Sequence, residues 1–348
     1  MAEGAHRVVT VAGPRMLREA IETLVEPAPG RAIVDITYTG ICGTDVHGYT
    51  DGHMLPPAVF GHEWTGRVSA IGDGVSGLQI GQRVVGGVGP ACGSCPQCAA
   101  GHTRQCDTVF AEANGVDSDA PDHGAFAGRV HVSARRLMPV PDVVTDVEAA
   151  LVEPASVTFH AVRRVAAEPG VIVVVQGAGP IGLLTAQNAR NAGAGQIIIS
   201  EPSAPRREMA TSLGFTDVLD PSDLRTRLEE ISNGLGADVL YECAGVASLL
   251  QSSAELVRRG GTLALLGYPL RESTVSYADW QSRELTVVGS LAYNHEDFIG
   301  SIRAIAGRRI DVATLHTGTV GLSTLEELLD QLDSGQSQHT KVLVTPDQ

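Results

Sequence analysis

From about residue 170 onward, short apolar runs alternate with longer stretches of helical spacing, and this alternation is the strongest pattern in the chain. The runs lie at 171–176, 196–201, 237–242, 262–266 and 285–289. Runs so short and so continuously apolar read as strands covered on both faces. Between them the spacing predicts helices over 180–191, 204–213, 222–232 and 246–258, the crossovers of a doubly wound parallel sheet. Before about residue 150 the texture differs, with short β-like runs such as 32–38 and 67–71 broken by Gly and Pro. That part reads as a β-rich domain. After residue 289 the pattern reverts, with helices expected at 296–306 and 324–332 and a last strand at 341–345, so the tail is expected to rejoin the first domain. Ser323 and Glu326 have the spacing of a capping box, which would start the second of those helices.

A chain of 348 residues, 43% hydrophobic and 19% charged, is long and apolar enough for two cores rather than one. Its formal net charge of -15 argues against a general binder of nucleic acid, because affinity for a phosphate backbone leans on Lys and Arg. The 40 glycines show no short period, so a solenoid or array is not expected. No uninterrupted apolar stretch approaches the roughly 20 residues of a membrane span, and residues 1–14 lack the apolar core of a secretory signal. A cytoplasmic protein without a membrane partner is expected.

That expectation decides how the cysteines are read. Cys92, Cys95, Cys98 and Cys106 follow the pattern C-x2-C-x2-C-x7-C, and in a reducing compartment such a quartet reads as a metal site rather than as disulfides. The small residues and turn formers around them let a short loop wrap its thiolates round one ion. Four sulfur ligands fill the tetrahedron of zinc and leave no vacancy, so this site should hold a lobe in shape. Cys243 stands outside any metal group and reads as a packing residue.

Gly177, Gly179 and Gly182 meet the pattern G-x-G-x-x-G between the apolar run 171–176 and the helical stretch that follows, the context in which the motif binds a dinucleotide. Gly177 permits the tight turn, Gly179 lets backbone approach a pyrophosphate, and Gly182 allows the helix to pack on the strand. Glu201, at the end of the next run, is placed to accept hydrogen bonds from the adenosine ribose and to repel an added 2′-phosphate. NAD is therefore favoured over NADP, with Arg206 and Arg207 as the counterargument, since either could pair with a phosphate.

Cys42, in Ile41-Cys42-Gly43-Thr44-Asp45-Val46-His47, and the pair His62-Glu63 offer sulfur, imidazole and carboxylate within one domain, a set suited to zinc with an open position. Glu153, in Leu151-Val152-Glu153-Pro154, is a further carboxylate candidate at the domain junction. His53 and Trp64 are candidates for a substrate pocket, with a loop histidine and a packed indole as the plainer readings.

The order and spacing of these motifs, the thiolate quartet included, resemble the zinc-dependent medium-chain alcohol dehydrogenase superfamily over nearly the whole chain. The stretch from Leu151 to Glu153-Pro154 and on to His160-Ala161-Val162 is similar to its sorbitol and polyol dehydrogenase branch. The resemblance implies an α/β protein: a GroES-like β-rich catalytic domain over 1–153 and 292–348, a Rossmann doubly wound parallel sheet over 154–291, and an active site in the cleft between them. It implies two zinc ions, one structural and one catalytic, the latter bound by Cys42, His62 and either Glu63 or Glu153. It also implies that Thr44 receives the alcohol proton and that His47 passes it on through the cofactor ribose; Asp45 is a candidate to orient a ligand histidine, with a solvated loop carboxylate as the equal alternative.

Two departures from the family pattern stand out. The segment between the Cys42 motif and His62 is short for the polyol branch, which puts sorbitol itself in doubt, and Gln82 occupies a position where similar chains carry an acidic residue. The expected reaction interconverts a secondary alcohol or polyol and a ketone with hydride transfer to NAD, in a homodimer or homotetramer that could pair through the run 285–289. A noncatalytic NAD-responsive zinc protein, and a redox-neutral lyase or epimerase using transient hydride transfer, are the alternatives.

Overall fold

The computed structural model describes residues 4–24, 26–52, 56–116, 123–165, 168–269 and 271–346. In chain order the elements open with β1 (Ala5–Gly13), β2 (Met16–Thr23), β3 (Arg31–Gly40), α1 (Gly43–Asp51), β4 (Glu63–Ile71), β5 (Arg83–Gly86), α2 (Pro96–Ala99), α3 (Asp107–Asn114), β6 (Arg129–Ser133), β7 (Leu137–Pro139), α4 (Asp146–Ala150) and α5 (Val152–Val165). There follow β8 (Ile172–Gln176), α6 (Pro180–Asn191), β9 (Gln196–Ser200), α7 (Ala204–Ser212), β10 (Asp217–Leu219), α8 (Pro221–Ser232), β11 (Ala237–Glu242), α9 (Leu250–Leu256), β12 (Val257–Leu265), α10 (Tyr277–Ser282) and β13 (Thr286–Gly289). The chain closes with α11 (His295–Ala306), β14 (His316–Gly321), α12 (Leu325–Asp333) and β15 (Lys341–Thr345). Among the described residues no helix is long and apolar enough to cross a membrane.

Two compact units result: Met1–Glu153 with Asn294–Ala306 and His316–Gln348, and Pro154–Tyr293 with Gly307–Leu315. The last of these segments differs from the division expected above. Gly307–Leu315 belongs with the second unit because Gln187 on α6 clasps the backbone of Asp311 through both its amide groups, at 3.0 and 2.7 Å, and Asn191 donates to the Arg309 carbonyl at 2.9 Å.

In the first unit a seven-stranded sheet runs β14-β15-β3-β4-β5-β7, with β6 also paired to β3, and a separate hairpin joins β1 to β2. The C-terminal strand lies beside β3 and so brings Lys341 close to the Cys42 motif, Ile41 N–H donating to the Val342 carbonyl. Two apolar clusters fill this unit. One packs Val46 and Tyr49 of α1 with Leu325, Leu328 and Leu329 of α12, and the other surrounds Trp64 with Val34, Val84 and Val132. Trp64 is therefore a packed core indole: it is buried, and a side chain at Gly86 would collide with its ring. His53 lies outside the described residues.

The second unit holds a six-stranded parallel sheet in the order β10-β9-β8-β11-β12-β13. The chain crosses from its central strand outward to one side and then to the other, so the order reverses beside β8, where such sheets open a crevice at their carboxyl ends. Val174, Ile198, Leu240 and Leu263 form its core with Leu224 and Leu228 of α8.

Two local expectations shift, and a hairpin strand stands where none was expected. The helix expected at 246–258 is shorter, because Gly245 takes φ +67°, a single 3-10 turn follows at Ala247–Leu249, and Val257 already pairs with Ala237 in the sheet. Arg258 is drawn into that strand by Asp238, at 2.6 Å. The helix expected at 324 does begin there, but through a 3-10 turn at Leu322–Thr324 with Thr324 as its N-cap, so Ser323 and Glu326 do not form the capping box. The hairpin strand β2 carries no strand signature at all, since Met16–Thr23 is mostly exposed and mixes Glu and Arg with apolar residues at no period of two.

Candidate functional site

The thiolate quartet sits on a loop with little packing of its own; α2 and α3 contribute no buried residue, and only Cys106 is sealed from solvent. Zinc held by four thiolates at about 2.3 Å places neighbouring sulfurs about 3.8 Å apart. The Sγ atoms of Cys92 and Cys98 are 4.0 Å apart, those of Cys95 and Cys106 3.9 Å, and all four lie within 4.8 Å of one another. Backbone N–H groups point at these sulfurs, from Cys95 to Cys92 at 3.2 Å, Cys92 to Cys106 at 3.3 Å and Cys98 to Cys95 at 3.5 Å. The Thr108 hydroxyl, with the N–H groups of Ser94 and Cys95, pulls the Cys92 thiol down to about 5. Burial and the neighbouring sulfurs push the Cys98 thiol up to about 12, so it is the sulfur spacing, too long for a disulfide and right for a shared tetrahedral ion, that fits a metal.

The second cluster is assembled at the start of α1 and of β4. Cys42 is the N-cap of α1, and His62 immediately precedes β4, whose first residue is Glu63. One donor atom from each of Cys42, His62 and Glu63 lies within 4.8 Å of the others. Asp45, fully buried, ties the two segments together: Cys42 N–H donates to its Oδ2 at 2.8 Å and Gly61 N–H to its Oδ1 at 2.9 Å. Burial raises the Asp45 carboxyl above its ordinary value, against His62 and these two N–H donors. The Val59 carbonyl, rather than Asp45, is the near partner of the His62 ring, accepting from Nδ1 at 3.0 Å while Asp45 lies 3.7 Å away. Donation from Nδ1 to the carbonyl leaves Nε2 as the nitrogen that would face a metal, which displaces its proton on binding.

Lys341 was not foreseen. It is buried, donates to the Ile41 carbonyl at 2.7 Å and pairs with Glu63 Oε2, so it anchors the residue before Cys42 and the carboxylate after His62 at once. Burial works against its charge, but Glu63, Cys42 and Glu153 raise the ammonium above its ordinary value. The one sequence signal was a lone Lys opening an otherwise apolar strand. Glu63 reaches this pair across Gly40, where any side chain would meet its carboxylate oxygen at 2.2 Å. Glu153 is also buried and acts electrostatically on both His62 and Lys341. Burial opposes the His62 imidazolium, yet Asp45, Cys42 and Glu153 hold it well above its ordinary value. The donors fit a zinc site of one thiolate, one imidazole and one carboxylate, the borderline-soft set that leaves a coordination position open.

Thr44 and His47 stand three residues apart on the first turns of α1, on one face of the helix. Among the described residues Thr44 Oγ1 and His47 Nδ1 are buried without a hydrogen-bond partner, an unusual state for polar atoms outside a functional site.

The glycine turn occupies the second unit. Gly177 takes φ +95°. A Cβ on Gly182 would lie 1.8 Å from the Gly177 carbonyl oxygen, whereas one on Gly179 would meet nothing within 4 Å. The turn is thus tight behind Gly182 and open in front of Gly179, where α6 begins with its free N–H groups. Glu201 is buried directly after β9 and braces this turn, accepting from Ala178 N–H at 2.7 Å and Ser203 N–H at 2.9 Å. Arg207 is spent on the Glu201 and Pro202 carbonyls and on Asp220, whereas Arg206 is exposed. Cys243 packs against Thr185, and burial pushes its thiol up, as befits a packing residue. Gln82 accepts from Gln79 N–H at 2.9 Å, a local loop bond in place of an acidic contact.

Comparison with known proteins agrees with this architecture. Residues 28–142 match the alcohol dehydrogenase GroES-like domain and residues 180–307 the zinc-binding dehydrogenase family. The chain is 34% identical to a 2-dehydro-3-deoxy-L-galactonate 5-dehydrogenase of Pseudoalteromonas atlantica, over 92% of this chain and 93% of the relative. It is 32% identical to a sorbitol dehydrogenase of Halalkalibacterium halodurans, over 94% and 95% of the two chains. A zinc-binding dehydrogenase structure from Sinorhizobium meliloti, bound to NADP, superposes with a TM-score of 0.84 at 29% identity, covering 99% of this chain and 100% of that one. With both family models and relatives of more than 30% identity spanning the chain, this chain is an oxidoreductase of the zinc-dependent medium-chain alcohol dehydrogenase superfamily, in its polyol dehydrogenase branch.

Proposed function

We propose that the protein reversibly oxidises a secondary alcohol or polyol to the ketone with NAD as hydride acceptor, using one zinc at Cys42, His62 and either Glu63 or Glu153 and a second at the cysteine quartet. The observation that carries this reading is the convergence of Cys42, His62 and Glu63. When bound, the zinc acidifies the substrate hydroxyl and the nicotinamide accepts the hydride.

The chain's own residues supply the rest. Asp45 and Lys341 hold the donor segments in place, which limits the reorganisation that substrate arrival would demand. Thr44 Oγ1, unpartnered, takes up the hydroxyl proton, and His47 Nδ1, equally unpartnered, relays it toward solvent. Gly177, Gly179 and Gly182 seat the pyrophosphate, and Glu201, each of whose oxygens keeps a further lone pair, accepts from the adenosine ribose hydroxyls. Exposed Arg206 and the NADP bound by the Sinorhizobium meliloti relative favour a second reading, in which NADP serves as well. Six free cysteines suit a reducing, cytoplasmic setting. A homodimer or homotetramer formed along the outer strand β13 completes the proposal.

The test follows NADH absorbance across polyols, vicinal diols, sugar acids and simple secondary alcohols, repeated with NADP and after chelation. Turnover that is lost with a chelator and restored by zinc supports the reading. Tight NADH binding without turnover on any substrate would sink it in favour of a noncatalytic sensor.

A further inference from the structure

A third group of metal-binding side chains lies in the first unit, well apart in sequence from the two zinc clusters. His6 on β1 and Glu22 on β2 face each other as a cross-strand pair, and His123 lies in the segment that runs into Gly124–Gly128. One donor atom from each lies within 4.8 Å of the other two. Both histidines are buried, at 4% and 1% exposure, and among the described residues the Nε2 atom of each lacks a hydrogen-bond partner. Such orphaned ring nitrogens are costly, since a buried acceptor without a partner has lost the water that satisfied it in the unfolded chain.

The ring orientations explain what these atoms are suited to. His123 Nδ1 meets the Gly124 carbonyl at 2.7 Å and His6 Nδ1 meets the Gly4 carbonyl at 3.4 Å. A carbonyl only accepts, so Nδ1 carries the proton in both rings and both Nε2 atoms present lone pairs. A buried lone pair of this kind is satisfied by a cation or by a donor. Glu22 supplies the negative charge, its Oε2 standing 3.7 Å from His123 Nε2, close to the roughly 3.4 Å that separates ligands on a tetrahedral zinc. Its side chain is 45% exposed, so an ion can enter from solvent.

The backbone around the group is already fixed. Val9 N–H donates to the Phe126 carbonyl at 2.9 Å and Gly128 N–H to the Arg7 carbonyl at 2.8 Å, tying β1 to the segment that follows His123. The His6 side chain packs on bare backbone at Gly128, where a Cβ would approach its own Cβ to 2.9 Å.

We propose that His6, His123 and Glu22 form a third metal site, for zinc or a similar borderline-soft divalent cation, with water completing the coordination. Two imidazoles and one carboxylate make a complete three-ligand zinc set. The ion clips the β1–β2 hairpin, whose second strand is mostly exposed, to the body of the unit. This assignment stands independently of the catalytic reading.

The full-length protein, desalted from zinc, is compared with Glu22→Gln and His123→Gln for zinc content at micromolar free zinc. Each variant is expected to lose one equivalent relative to the parent. Glu22→Gln is the decisive variant because it changes an accessible side chain with little risk to folding. Anomalous diffraction at the zinc edge should place a peak about 2.1 Å from both Nε2 atoms. Equal zinc content in all three proteins, or a water molecule at the peak position, would overturn the assignment. Uptake only at millimolar zinc that Glu22→Gln leaves unchanged would mark an adventitious ion only, and would overturn it as well.

Discussion

A methyl group on Gly182 would lie 1.8 Å from the Gly177 carbonyl oxygen, while one on Gly179 would meet only open space. The two glycines therefore fail differently. Gly182→Ala should destabilise the second unit by about 1–3 kcal/mol, seen as a lowered melting temperature, because the backbone must move to relieve the overlap. Gly179→Ala, whose φ of -70° suits any residue, should leave stability within about 0.5 kcal/mol yet cut NADH affinity, since its methyl occupies the place where pyrophosphate approaches. Lys341 offers a second contrast. Lys341→Met removes the cation from a pair in which both partners are buried and should cost about 3–5 kcal/mol in urea unfolding. The double variant Lys341→Met with Glu63→Gln should recover part of that loss, because it no longer leaves a bare carboxylate. If the single and double variants unfold alike, the ion pair does not govern the stability of this corner.

At the scale of elements, the cysteine loop and α12 are held by different forces. Leu325, Leu328 and Leu329 bind α12 into an apolar core. The cysteine loop has no such core, and its short helices bury nothing. Metal removal should therefore raise hydrogen exchange across 92–114 while β3, β4 and α12 keep their protection. Uniform loss of protection would mean instead that the quartet governs the whole unit. Five of the six parallel strands were legible because each carries a short apolar run, as in Ile172–Gln176, whereas β10 at the sheet edge, only Asp217–Leu219, carries none and was not expected. The hairpin strand β2 was not, because an exposed strand is under no burial constraint that would write a period of two into it. Likewise the end of α9 is decided by the pairing of Val257 with Ala237, a contact across 20 residues that no local propensity announces.

For the whole molecule, the strand order of the parallel sheet leaves β13 at one edge, with Val287 40% exposed. An uncovered apolar edge invites a second copy of the sheet. Light scattering on the purified protein should give an even-numbered oligomer, and Val287→Lys should shift it toward monomer with NADH binding retained. A monomeric parent protein would remove the edge-pairing proposal.

The candidate residues themselves were legible from sequence, since thiolate spacing, glycine spacing and the His62-Glu63 pair are local and their chemistry depends on residue type. What surrounds them was not. Lys341 reaches Glu63 only because β15 returns beside β3, and Glu201 braces the glycine turn only because β8 and β9 are neighbours. His6, Glu22 and His123 have no local motif, as a hairpin register and a backbone bridge bring them together. Local pattern thus determined which groups are present and which segments are buried. Pairing between distant segments decided which charges meet, because burial leaves a polar atom no partner except the one that the fold sets beside it.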